Sequence, residues 1–256
     1  MTIEKLQKMK HVSKRYRIKN SRKNVRKILL FALSIIVVVF ILLVIFKKPL
    51  SVEQKKYVYG IEIPEYSGNP YVIMNNNEPL FTEDEKRTLS FETYSKLDSL
   101  GRCGVAFANV GRDLMPSDKR GEIGDIKPSG WVQAKYEGIV ESEPPYLYNR
   151  CHLIAYRLTA ENANENNLIT GTRYMNVEGM LPFEEMVAKY LDAYDNHVLY
   201  RATPVFTGRN LLADGVLLEA YSVEDEGKGI CFCVYIYNVQ PGIEIDYTTG
   251  ESWIQN

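Results

Sequence analysis

Residues 148–185 read YNRCHLIAYRLTAENANENNLITGTRYMNVEGMLPFEE, and three textures follow one another along them. An apolar, hairpin-like run covers 146–158. A polar loop rich in Asn and Glu covers 161–167, suited by its short amide side chains to irregular backbone. Helix is expected near 170–178. A second helical signal follows at 182–194. There Pro182 suits a first helical position, and Glu184 and Glu185 fall where the positive end of the helix dipole favours carboxylates. Phe183, Met186, Val187, Tyr190, Leu191 and Tyr194 recur at helical spacing and predict one buried stripe.

On either side of this stretch the pattern has the period of strands. HVLYRATPVF (197–206), GVLLEAYSV (215–223) and ICFCVYIYNV (230–239) are separated by short turns holding Gly208, Gly227 and Gly229, which predicts an antiparallel meander. Upstream, GVAFANV (104–110) reads as a buried strand. It leads into a Gly/Pro/Asp-rich loop running to Pro128, long enough to frame a site. The fold class expected is α+β with an antiparallel sheet, in one domain over 66–256.

The N-terminal quarter is different. Residues 1–27 carry eleven Lys/Arg and one acidic residue, whereas 49–256 carry 18 basic against 31 acidic residues. Between them, ILLFALSIIVVVFILLVIF (28–46) has Ser34 as its one polar side chain and, as a helix, would span roughly 28 Å. The run is longer than the apolar part of a cleaved signal peptide and ends at Lys47-Lys48-Pro49 without a small-residue cleavage pattern. The expectation is therefore a basic cytoplasmic arm (1–27), a single-pass transmembrane helix (28–46), a polar stalk (47–65) and an extracytoplasmic domain (66–256), oriented by the positive-inside rule. The basic arm itself reads as topogenic rather than as a nucleic-acid binder. Overall composition, 45% apolar and 25% charged, excludes a disordered, collagen-like or disulfide-knot chain.

Chemistry-bearing residues are few. Of three histidines, His11 lies in the arm and His197 opens an apparent strand, which leaves His152 amid Arg150, Arg157 and six asparagines. Each has a plain structural role open to it: Asn caps helices, Glu184 complements a dipole, Arg150 pairs with a carboxylate. Cys151 adjoins His152, but neighbours on a strand point to opposite faces and would not form a nucleophile–base pair. For Cys103, Cys151, Cys231 and Cys233, disulfides, a zinc site and simple burial all stay open.

The ordered set Asn149-Arg150-Cys151-His152, then Asn167 and Asn176 within NENNLITGTRYMNVEG, then Glu184, resembles the DNA/RNA non-specific endonuclease family. Within that family it is most similar to membrane-anchored DNA-entry and secreted nucleases of Gram-positive bacteria. The resemblance runs from about Tyr66 through VQPGIEIDYTTGES (239–252). It implies a ββα-metal core and metal-dependent hydrolysis of DNA and RNA to 5′-phosphorylated products. It also implies roles: His152 as general base, Asn176 as ligand of a hydrated Mg²⁺ (or Mn²⁺), and Asn167 and Glu184 holding the metal's waters. Arg150 would clamp a phosphate or brace the site, with Arg157 and Arg173 as nucleic-acid contacts. Nine residues of continuous helix would put Asn167 and Asn176 on opposite faces, so both reach one site only if Asn167 lies in the preceding loop. Asn149 and Cys151 stand where the family has Asp and Gly, which removes a charge near the metal waters and a backbone freedom. Rival readings are a non-catalytic nucleic-acid receptor on the same fold and a cell-surface interaction module with no nucleic-acid role.

Overall fold

Alternation along two long strands sorts their side chains onto two faces. In β9 (Gly215–Ser222), Val216, Leu218 and Ala220 join one apolar core while Leu217 joins another; in β10 (Cys231–Tyr237), Phe232, Val234 and Ile236 oppose Cys233, Tyr235 and Tyr237 in the same way. Both faces are covered, so both sets are buried and the strands read as nearly continuous apolar runs. The computed structural model describes residues 31, 33–35, 37 and 55–255. Its central sheet has six antiparallel strands in the order β3 (Tyr71–Ile73), β10, β9, β8 (Val198–Val205), β5 (Ala106–Val110), β4 (Phe91–Tyr94). A C-terminal hairpin, β11 (Ile243–Ile245) with β12 (Ser252–Ile254), lies outside this sheet.

The larger core lies under a module built from the stretch quoted first. β6 (Tyr148–His152) pairs antiparallel with β7 (Leu168–Thr172), in register from Tyr148↔Thr172 to His152↔Leu168. The short helix α1 (Tyr156–Thr159) and a 3₁₀ turn at Glu165–Asn167 fill the connection. The hairpin-like run expected over 146–158 is thus one strand, whose partner comes after the Asn/Glu loop. The helix expected near 170–178 is also corrected. Its first part is β7, where β-branched Ile169, Thr170 and Thr172 favour strand. Helix begins at Arg173 and passes through a π-helical turn at Met175–Met180 into α2 (Leu181–Ala193). α2 buries Phe183, Val187, Tyr190 and Leu191 against the sheet, while Met186 and Tyr194 of the expected stripe are exposed.

Cys151 is accommodated by the glycine beside it. A Cβ on Gly171 would meet the Cys151 sulfur at 2.4 Å, so the space that a Gly at 151 would leave is supplied by Gly171 instead. All four cysteines are free thiols, and only Cys231 is exposed.

The stalk expected over 47–65 is corrected as well, because its second half is folded. β1 (Lys56–Val58) and β2 (Ile61–Ile63) form a hairpin around Tyr59 and Gly60, both at positive φ as a two-residue turn of the I′ kind requires. Val58 and Ile63 pack on Leu217, Cys233 and Tyr235, and Lys56 pairs with the buried Asp214 at 2.6 Å. Strands of three residues are too short to show alternation, although the Tyr59-Gly60 turn between apolar flanks was a usable signal. The compact unit starts at Lys55. Of the expected span over 28–46, Phe31, Leu33, Ser34, Ile35 and Val37 are helical. The rest of it, the arm and residues 47–54 lie outside the described residues. No helix among the described residues is long and apolar enough to cross a membrane.

Candidate active site

The β6–β7 module opens onto a cleft of about 990 Å³ that brings together His152, Arg150, Asn149, Arg157, Arg173, Asn176 and Glu184. His152 ends β6 and is buried. Its Nε2 lies 2.8 Å from the carbonyl oxygen of Asn162, which can only accept, so Nε2 carries the proton. Nδ1 is then left with a lone pair, 3.2 Å from Nη2 of Arg120, which donates to it. Burial holds the imidazole down at about 4, against the Asn162 hydrogen bond and with help from the Arg120 charge. His152 is therefore neutral at ordinary pH, in a single tautomer, with its basic nitrogen toward the cleft.

Arg120 is the functional candidate that sequence reasoning missed. It belongs to the loop after β5, whose length was the one available signal. That loop is held over the cleft from below. Arg150 donates from Nε to the carbonyl of Ile126 and from Nη2 to that of Gly124 (2.5 Å), and it stacks 4.3 Å from the Trp131 ring centre. The Tyr156 hydroxyl adds a bond to the Asp118 carbonyl at 3.0 Å. Arg150 is thus a brace, and Arg120 is the cation it positions.

Asn176 sits in the π turn, its backbone carbonyl accepting from Leu181 N while its carboxamide has no hydrogen-bond partner among the described residues. A π turn inside a helix re-phases the side chains before it relative to those after it, a distortion common at functional sites. Glu184, in the first turn of α2, lines the same cleft. Burial pushes its carboxyl up to about 8, against the opposing pull of Arg120. Arg173 lines the cleft with its guanidinium unpartnered among the described residues, and Arg157 pairs with Asp192 at 2.5 Å.

Asn167 goes elsewhere. It is fully buried and outside the cleft lining; Oδ1 accepts from Ile154 N and Nδ2 donates to Ile154 O, both at 2.9 Å. It clamps both backbone polar groups of Ile154 behind the site, outside the cleft where a metal's waters would lie. Cys151 is buried, and its thiol is pushed up by burial, so it is not a nucleophile.

A hard divalent ion fits what remains. No cluster of three or more His, Cys, Asp or Glu exists among the described residues, so the softer, protein-enclosed kinds of site are not built here. One free carboxamide oxygen at Asn176 with the Glu184 carboxyl in the same cleft suits an oxygen-seeking ion that keeps most of its waters. The cleft is also locally cationic. Arg120, Arg150, Arg157 and Arg173 face Glu143 and Glu184, in a domain where acidic residues outnumber basic ones.

The family model for DNA/RNA non-specific endonucleases matches residues 82–224, more than half of the chain and the whole of the module just described. The chain belongs to this family. A curated relative, a deoxyribonuclease of Streptococcus dysgalactiae subsp. equisimilis, is 28% identical over 208 residues, 66% of this chain and 62% of that protein's length. The fold is that of NucA from Streptococcus agalactiae, solved with magnesium ion bound (TM-score 0.63, 24% identity, 82% of this chain and 94% of that one). It is also similar to the Sda1 nuclease, solved with bound zinc ion (TM-score 0.60, 26% identity, 73% and 97%). Family membership thus rests on the segment holding Arg120, His152, Asn176 and Glu184 together.

Proposed function

We propose that the protein is a Mg²⁺-dependent endonuclease that hydrolyses DNA and RNA with little sequence preference, held at the cell membrane by residues 28–46 with its N-terminus cytoplasmic and its domain outside. The observation that carries the chemistry is the His152 tautomer. A neutral imidazole locked by the Asn162 carbonyl, with Nδ1 toward a cationic cleft, is a general base ready at neutral pH.

The chain's own groups divide the work. Arg120 leaves Nδ1 for the incoming phosphate, where a guanidinium pairs its planar fork with two oxygens. Nδ1 then accepts the proton of the attacking water, and Nε2 keeps its proton on Asn162. Arg173 adds positive charge along the strand, while Arg150 keeps the Arg120 loop in place. Asn176 would hold the divalent ion and Glu184 would orient its waters, as the carboxylate once the ion's charge offsets burial. The ion, when bound, supplies Lewis-acid stabilisation of the phosphate and of the leaving oxygen.

Supercoiled plasmid and a structured RNA incubated with the full-length protein test this reading. Nicking is expected with Mg²⁺ and none in EDTA, and Asn176→Ala should weaken apparent Mg²⁺ affinity by about 100-fold or more, the upper range for lost support of a metal ligand. Binding without cutting would leave a receptor on the same fold; protease added to intact cells should remove the domain and spare the basic arm.

A further inference from the structure

A second cavity of about 500 Å³, lined by Arg112, Met115, Pro116, Ser117, Arg157 and Asp192, adjoins the cleft, and the two share Arg157. The loop after β5 walls both, with Met115–Ser117 facing the second cavity and Arg120 the first. Two features make this cavity receptive to an anion although it lies at the carbonyl end of α2. Arg112 donates from Nη2 to the Leu191 and Asp192 carbonyls at 3.0 and 2.9 Å, which offsets the negative end of the helix dipole. Among the described residues Arg157 is paired only with Asp192, and both side chains are more than half exposed, so the ion pair is screened by solvent and readily exchanged for another anion. Met115 and Pro116 add an apolar wall, which a charge-binding site alone does not need.

We propose that this cavity is a nucleotide subsite for the strand flanking the cut, an inference that rests on the nuclease reading above. Arg157 exchanges Asp192 for a phosphate of the flanking strand, and the sugar or base of that nucleotide packs on Met115 and Pro116. The Asp192 carboxylate is the internal stand-in for that phosphate in the free protein. The contact is to backbone and an apolar surface, so it lengthens the footprint on the strand without choosing a sequence.

The test is fluorescence anisotropy of the full-length protein in EDTA, with labelled oligothymidylate long enough to span both cavities and with a thymidine dinucleotide. Arg157→Ala should weaken oligothymidylate binding about tenfold and make the dependence of log K on log salt shallower by about 0.7, the loss of one single-strand phosphate contact. Ser117→Glu, which puts a carboxylate in the cavity, should weaken oligomer binding several times more than it weakens dinucleotide binding. Asp192→Asn should tighten the oligomer. Urea midpoints of the three variants guard against misfolding. Unchanged oligomer affinity and salt slope in folded Arg157→Ala and Ser117→Glu variants would overturn the subsite, as would weaker binding by Asp192→Asn. A wild-type protein that neither binds the oligomer nor nicks plasmid would overturn the nuclease reading beneath it.

Discussion

The two faces of the central sheet bury charge in opposite ways. On the face away from the cleft, Glu219 is fully buried and satisfied. Arg201 donates to it from Nε at 2.9 Å and Nη2 at 3.1 Å, and Leu80 N adds a third bond at 2.7 Å. The Arg201 guanidinium lies over the rings of Phe81, Tyr59 and Phe107. On the cleft face, the buried His152 and the half-buried Glu184 share one nearby cation, Arg120, and desolvation pushes both toward their neutral forms. Complete pairing holds a fold together, whereas incomplete pairing leaves groups able to take up protons, ions and phosphates.

His152→Ala should lower plasmid nicking by about 10²–10⁴-fold, the worth of a positioned general base, while urea denaturation shows the domain still folded. Cutting at a near wild-type rate would remove the base assignment. On the other face the expected loss is of stability. Arg201→Ala leaves Glu219 buried and unpaired, which costs about 3–5 kcal/mol in urea denaturation, while Arg201→Met with Glu219→Leu should recover most of it. Nicking per folded molecule should not change in either variant.

Acid sharpens the contrast further. His152 titrates near 6.5 when unfolded and is held at about 4 when folded, so between those values the unfolded chain binds the extra proton. Stability present above pH ~6.5 is therefore lost as pH falls through about 4, by about 3 kcal/mol at most, and His152→Gln should flatten that slope. The acid limb of kcat/KM should likewise lie well below the pH ~6.5 of a free histidine. The smallest effect belongs to Asn167. Its replacement by Ala leaves both backbone groups of Ile154 unpaired and should cost about 1–3 kcal/mol in urea. Apparent Mg²⁺ affinity should stay as in the wild type; a drop of about tenfold or more would return Asn167 to the metal's surroundings.

Asn167 and Asn176 show where reading along the chain stops. Both lie in one polar segment, and by residue type they are equivalent. Residue 167 falls in the turn before β7, where its amide faces the Ile154 peptide, whereas residue 176 falls in the π turn, where its amide faces the cleft. Arg150 and Arg120 make the same point with opposite outcomes. Arg150 adjoins His152 in sequence yet braces a loop, while Arg120, far upstream, touches the imidazole.

By itself the sequence determined what repeats locally. Apolar runs bounded by glycine-containing turns laid out β8, β9 and β10, helical spacing with Pro182 marked α2, and the ordered set Asn149-Arg150-Cys151-His152, Asn167, Asn176 and Glu184 identified the module, because composition, secondary-structure period and motif order are properties of neighbours along the chain. Tertiary structure alone decided the rest. It set which nitrogen of His152 is free, that Arg120 guards it, that Asn167 stays out of the cleft, and that the hairpin from Lys56 closes the far face. These depend on hydrogen bonds and burial between residues from 10 to 158 positions apart, and such contacts exist only once the chain has folded to bring them together.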